Sequence, residues 1–321
     1  MEHIDALAAN LLSPIILSFV LGVIASLVRS DLRLPDALYQ ALSIYLLLAI
    51  GLKGGVELHK TPLLAFLGPA LVTLFLGLLT PVIAYNVLRR LGRFDRVNAA
   101  AIAAHYGSVS AVTFIVATSF GTMIGHTPEG FMPALVAILE VPAIVVALMI
   151  AFTREKRAGS WRDALHEVLA GRSVVLLVGG LLIGLIVGPE KFEPVSPFFV
   201  SGFQGALALF LLEMGILAAR RLQDLREVGF FLVGFGILVP IVHGLLAVWL
   251  GGYAGLSVAG RAVLAAMVSS ASYIAAPAAV RIALPEANPT FYLTASLGIT
   301  FPFNVTLGIP LYYTFATWLA G

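Results

Sequence analysis

The sequence predicts an all-α membrane protein of ten transmembrane helices, arranged as two inverted five-helix repeats around two crossing broken helices, the fourth and ninth. Three observations predict it. Of 321 residues, 60% are hydrophobic and 11% charged, with a mean hydropathy of +1.01. Soluble domains carry about 25% charged residues, so this chain lacks the polar surface to solvate itself. The apolar residues fall into ten segments of roughly membrane-spanning length. Finally, two polar interruptions stand at matched depth: His105–Thr113 (HYGSVSAVT), in an apolar segment from about Asn98, and Ser269–Tyr273 (SSASY), in a segment starting near Gly260. At 1.5 Å per helical residue, each lies roughly 15 Å in, half of a ~30 Å hydrocarbon core. Such a run suits a helix that breaks against protein or a small aqueous cavity, not one facing lipid. Paired interruptions in corresponding segments point to the binding site of a secondary transporter.

In order, the segments run over approximately 14–28, 36–56, 63–88, 98–122, 131–152, 173–189, 197–219, 228–250, 260–284 and 290–319. The preceding MEHIDALAANLL has no basic n-region and no Ala-x-Ala-like site, so it does not read as a cleaved signal peptide. Segments one and six are short. Segment five carries an intramembrane carboxylate, Glu140, beside Pro142. The most polar stretch, 154–172, reads as a cytoplasmic linker between a first repeat (1–153) and a second (173–321). Segment ten is interrupted by Pro302 and Pro310 and ends in the aromatic run LYYTFATW, an interface belt. There is no cysteine, which excludes disulfides, haem attachment and thiolate metal sites. The net charge of +2 reflects loops beside a membrane and implies no nucleic-acid partner.

Fifteen of the 19 basic residues fall in odd-numbered loops: Arg29 and Arg33; Arg89, Arg90, Arg93 and Arg96; Arg154, Lys156, Arg157, Arg162 and Arg172; Arg220, Arg221 and Arg226; and Arg281. The positive-inside rule then makes the odd loops cytoplasmic and places both termini outside, in a multi-pass protein of the cell inner (plasma) membrane. Acidic Glu2 and Asp5 agree with that orientation. The halves also echo each other. Ile50–Leu58 aligns with Met214–Leu222 at an offset of 164, Ser108–Ser110 with Ser270–Ser272 at 162, and Phe131 and Pro142 with Phe291 and Pro302 at 160. A repeat of five spans, an odd number, inserts its second copy upside down.

This geometry defines candidate sites. Where helices four and nine break, each second half-helix offers free N–H groups and a positive dipole end, at Gly107, Ser108, Val109 and Ser110 and at Ser270, Ala271, Ser272 and Tyr273. Two such ends converging make a small-anion site. Carbonyls freed at the breaks, with the Ser108 and Ser110 hydroxyls, suit a hard monovalent cation. Glu140 would compensate that cation's charge, and Thr300 and Asn304 in TFPFN would complete its shell. The same small residues also permit close helix packing. Among the remaining polar residues, Glu213 reads as a structural pair-former, Lys53 as a snorkelling or anion-steering lysine, His105 as a packing residue and Arg281 as a cytoplasmic anchor.

The segments YGSVSAVTF, LEVPAIV, ASYIAAPAAVRIALPEANP and TFPFNVTLGIPLYY, with AIGLKGG and LFLLEMG in support, resemble the sodium-dependent bicarbonate transporter family, the SbtA-type permeases. The resemblance spans both repeats. It implies sodium-coupled bicarbonate uptake, an elevator movement of a core subdomain against a gate subdomain, a homotrimer, and no cofactor beyond the coupling sodium ion. It also implies a PII-type regulatory partner on the cytoplasmic face, although the linker here is short. Two departures stand out: Ala111 and Val112 replace a glycine and a serine of the family's usual G-x-V-S-G-S-T, and Glu140-Val141-Pro142-Ala143 replaces the commoner D-I-P-A.

Three other readings compete with symport. Transport of another small anion fits the same features. A sodium/proton exchanger of related architecture would want a clustered titratable pair, where the sequence offers Glu140 with His105 at best. A membrane enzyme has little support, since His3, His59, His105, His126, His166 and His243 show no metal-ligand spacing and no nucleophile elbow appears.

Overall fold

A computed structural model describes residues 8, 10–152 and 161–320 of the chain. Glu2, Asp5 and the first part of the linker, with Arg154, Lys156 and Arg157, lie outside the described residues. Every regular element among the described residues is helical. In chain order these are α1 (Pro14–Leu27), α2 (Asp36–Lys60), α3 (Leu63–Arg90), α4 (Arg96–Gly107), α5 (Ala111–Met123), α6 (Met132–Glu140), α7 (Pro142–Phe152), α8 (Trp161–Leu169), α9 (Arg172–Phe192), α10 (Phe203–Leu222), α11 (Leu225–Tyr253), α12 (Val258–Val268), α13 (Ala275–Ala283) and α14 (Pro289–Trp318). Among the described residues, seven helices are long and apolar enough to cross a membrane, counting α4 and α5 together; Pro14–Leu27, Met132–Ala147 and Val258–Val268 are shorter apolar helices.

Local chemistry sets these boundaries. Side-chain caps open the helices that lead to the breaks: Asp95 accepts the Asn98 N–H at 3.0 Å before α4, and Ser257 accepts the Gly260 N–H at 3.1 Å before α12. Ser13 and Asn288 cap α1 and α14 in the same way. Within α14 the backbone widens into π turns at Thr294–Thr300 and Asn304–Gly308, each followed within two residues by a proline, Pro302 or Pro310. A proline lacks the N–H of the regular ladder and its ring crowds the preceding turn, which accounts for the interruptions. The linker is not featureless: its second part forms α8, which packs against α13 and buries Val168.

Packing separates two kinds of helix. In the apolar window spanning α4 and α5, 94% is buried inside the protein, against 28% for α3. The broken helix is therefore a core element, and α3 presents most of its surface outward. Alanine makes this possible: Ala99, Ala100, Ala101, Ala103 and Ala104 are fully buried, so helices close in on every side of α4. The second kind is a pair of tight seams, α1 along α10 and α2 along α9. A Cβ at Gly22 would strike the Leu212 carbonyl, and one at Gly215 the Phe19 carbonyl. On the other seam, Gly55 and Gly184 meet the Leu181 and Leu52 carbonyls in the same fashion. Backbone contact this close admits only glycine.

Candidate functional site

The first break is short. Ser108 and Ser110 both have extended backbone, φ −90° with ψ 165° and φ −95° with ψ 108°, and Val109 lies between them. The second break runs from Ser269 to Ile274, between α12 and α13, one residue beyond the expected SSASY. The breaks touch directly. The Ser110 N–H donates to Ser270 Oγ at 2.7 Å, and the Ser272 N–H donates to the His105 carbonyl at 2.8 Å. Ser110 Oγ reaches the Tyr273 hydroxyl at 3.3 Å. Of the candidate anion-site residues, Gly107, Ser108, Val109, Ser110, Ser270, Ala271 and Ser272 are buried and Tyr273 is half-buried.

Each break caps its own second half-helix with a serine. Ser110 Oγ accepts the Thr113 N–H at 3.2 Å, and Ser272 Oγ accepts the Ala276 N–H at 3.3 Å. Several of the donors proposed for an anion are thus already engaged, including Ser110 N–H and Ser272 N–H. Of the proposed donors, the N–H groups of Ser108, Val109, Ala271 and Tyr273 have no protein partner among the described residues, and neither do those of the adjoining Ala111 and Val112 on one side and Ile274 and Ala275 on the other. Each set sits where the helix dipole leaves partial positive charge.

The candidate cation ligands form three groups. Ser108 Oγ donates to the Glu140 carbonyl at 3.1 Å, bringing the first break against the end of α6. The Glu140 side chain is buried, and no hydrogen bond or ion pair reaches its carboxyl group among the described residues. Thr300 Oγ1 donates to the Gly236 carbonyl at 2.7 Å and accepts from the Tyr106 hydroxyl at 2.6 Å, which leaves one lone pair. Asn304 donates to the Ser269 carbonyl at 3.0 Å and accepts from the Tyr312 hydroxyl at 2.9 Å. Both Thr300 and Asn304 are fully buried against the breaks, and no hydrogen bond joins either to Glu140.

The other polar residues take up plainer roles. Glu213 accepts the Leu34 N–H at 3.0 Å and fastens the turn between α1 and α2. His105 donates from Nδ1 to the Ala101 carbonyl at 2.7 Å and stacks on Tyr292 at 4.5 Å, as a packing residue does. Sequence reasoning passed over Tyr106, Tyr312 and Thr113. The two tyrosines look like interchangeable aromatics until their hydroxyls meet Thr300 and Asn304. Thr113 had a visible signal, three residues after the capping Ser110; its buried hydroxyl has no partner. Asn10 was also missed, although its amide donates at 3.0 Å to the Val305 and Thr306 carbonyls in the π-turn region of α14.

Among the described residues the protein is all-helical with apolar spans, and its buried centre is two interrupted helices joined at their breaks, an arrangement of the kind that forms binding sites in membrane transporters. Comparison with known families narrows the class. The family model of the Na+-dependent bicarbonate transporter superfamily matches residues 14–317, nearly the whole chain, and the protein belongs to that family. No curated protein matches the chain.

Proposed function

We propose that this protein couples sodium to bicarbonate uptake by symport, with an elevator-type alternating-access mechanism. The observation that carries the reading is the junction of the two breaks, Ser110 N–H to Ser270 Oγ and Ser272 N–H to the His105 carbonyl. It sets two helix N-termini with uncommitted N–H groups beside each other in the buried centre. Two dipole ends of about half a charge each roughly neutralise a monoanion such as bicarbonate. The unpartnered Glu140 carboxyl, with Ser108 and Ser110, supplies the charge and hard oxygens that favour sodium. Thr300 contributes its remaining lone pair, and Asn304 joins by exchanging its bond to Tyr312. Sodium beside the anion strengthens the field that holds it, which couples the two.

Ten spans in a five-plus-five inverted repeat complete the proposal, divided as 1–153, 154–172 and 173–321. The glycine seams support it. The contact Gly22 makes on α10 has the form that Gly184 makes on α2, a spacing of 162, and Gly55 on α9 corresponds to Gly215 on α1, a spacing of 160. For α2 and α10 this favours a register about one helical turn from the 164 of the motif alignment. The four seamed helices make a natural gate, with the broken helices in the core that moves against it. The homotrimer and the PII-type regulator rest on family resemblance alone, and the inner-membrane location is part of the same proposal. The outside location of both termini rests on the positive-inside count.

Uptake of labelled bicarbonate into vesicles, with and without a sodium gradient, tests the function. Calorimetric titration of purified protein with each ion tests the coupling. Sodium and bicarbonate must each tighten the other by the same factor. Bicarbonate binding at full strength in sodium-free buffer ends the symport reading.

A further inference from the structure

A cavity of about 440 Å³ opens between α2 and α10 on one side and α5, the α5–α6 loop and the start of α6 on the other. It does not include the breaks. It lies further along α5: Thr118, on its wall, is seven residues beyond Ala111, about 10 Å along the helix axis. Thr118, Ser119 and Thr122 give that wall a run of hydroxyls, and Gln204 spans the cleft with a 3.2 Å hydrogen bond to Ser119. The space is large enough for several waters together with a small ion.

Three charged residues line the cavity, and two are engaged by neighbours. Glu57 is paired with Lys60 at 3.0 Å. Glu129 accepts the Ser257 N–H at 2.6 Å through Oε1 and lies over the first turn of α12, whose dipole end offsets part of its charge, while Oε2 has no hydrogen-bond partner among the described residues. Lys53 is different. Its neighbours Leu52 and Gly54 are buried while Lys53 is exposed to the cavity, and no ion pair engages it among the described residues. Glu57, four residues on and its natural helical partner, is taken by Lys60.

We propose that this cavity is an anion antechamber in which the uncompensated Lys53 ammonium captures a small hydrated monoanion before it reaches the helix breaks. The inference rests on the bicarbonate reading for the identity of the anion and on the cavity for the site. Low-dielectric walls focus the field of an unpaired charge and raise the local concentration of counter-ions. Lys53 acts on capture and not on the transport step, so its removal raises the half-saturation concentration and leaves the maximal rate near that of the unaltered protein.

The cysteine-free chain allows a direct test by labelled bicarbonate uptake in vesicles. Lys53→Cys is expected to raise the half-saturation concentration about three- to tenfold at low ionic strength. Coupling an aminoethyl methanethiosulfonate to that cysteine restores the positive charge and lowers the half-saturation again. The sulfonatoethyl reagent, of similar size and opposite sign, raises it further. Lys53→Gln carries the same expectation should the cysteine variant assemble poorly, and raising ionic strength brings the unaltered protein toward Lys53→Gln. Equal effects of the two reagents, or an unchanged half-saturation in Lys53→Gln, overturn the antechamber. Absence of bicarbonate uptake by the unaltered protein instead overturns the function on which it rests.

Discussion

The two helix breaks are built alike and finished differently. Both place a serine cap on the second half-helix, and both are tied to the helix that follows, the first by Ser108 to the Glu140 carbonyl and the second by Asn304 to the Ser269 carbonyl. At the second break the side-chain bonding is closed. Asn304 serves Ser269 and Tyr312, and Ser270 Oγ donates to the Met267 carbonyl while accepting Ser110 N–H. At the first break, the Glu140 carboxyl and the Thr113 hydroxyl have no partners among the described residues. Burying such groups costs free energy, so they persist where something else supplies the compensation. On the proposed reading, the first break supplies the charge that compensates the cation, and the second adds its helix N-terminus while holding the junction together.

The largest expected effect attacks the space the breaks share. Ala271 lies in the second break and is buried. Ala271→Leu is expected to cut bicarbonate uptake at least about a hundredfold while costing only about 1–3 kcal/mol of stability. Uptake near normal from a well-assembled Ala271→Leu protein would remove the anion from this place.

Next come the residues following each break, where the comparison predicts opposite phenotypes. Asn304→Ala strands the Ser269 carbonyl and the Tyr312 hydroxyl in the interior. It should therefore lower stability by about 2–4 kcal/mol, read as a fall in thermal unfolding temperature in detergent. Glu140→Gln breaks no side-chain hydrogen bond among the described residues, so its stability should hold, whereas apparent sodium affinity should drop about tenfold, or about 1.4 kcal/mol. A stable Asn304→Ala together with an unchanged sodium dependence in Glu140→Gln would reverse the assignment of the two breaks.

Serine caps are smaller. Ser110→Ala removes an N-cap, worth about 1 kcal/mol, and Ser272→Ala removes the one side-chain bond to the Ala276 N–H. Ser110→Ala should cost more, since Ser110 Oγ also bonds the Tyr273 hydroxyl. Equal losses in thermal stability would show that the junction adds nothing to the cap.

The smallest effect concerns how the first broken helix is entered. Partial burial works to raise the Asp95 carboxyl, but hydrogen bonds from the Asn98 backbone and side chain outweigh it and hold the group below its ordinary value. A depressed folded value means the cap's contribution is fully present above about pH 4 and is lost as pH falls through the folded value. The stability gap between the unaltered protein and Asp95→Asn should therefore narrow on acidification toward pH 3. A gap independent of pH would mean that ionised Asp95 contributes nothing beyond a neutral cap.

Much of this arrangement was legible in the chain, for a simple reason. Composition and apolar run length report transfer into lipid residue by residue, so membrane class and the approximate helix limits follow without tertiary information. The first break was also legible, because Gly107, Ser108 and Ser110 are polar or permissive residues at a depth where lipid would reject them. Packing decided the rest. Glu140 and Asn304 read as partners in one cation shell, yet an amide can donate and accept at once, and the neighbouring Ser269 and Tyr312 satisfy Asn304, while the approach of Ser108 to the Glu140 backbone leaves its carboxylate alone. Lys53 likewise became informative only when Lys60 claimed Glu57 and the space between α2 and α5 proved to be a cavity. A sequence lists which groups need partners. Which of them find partners depends on distances between segments hundreds of residues apart, and only the folded chain sets those.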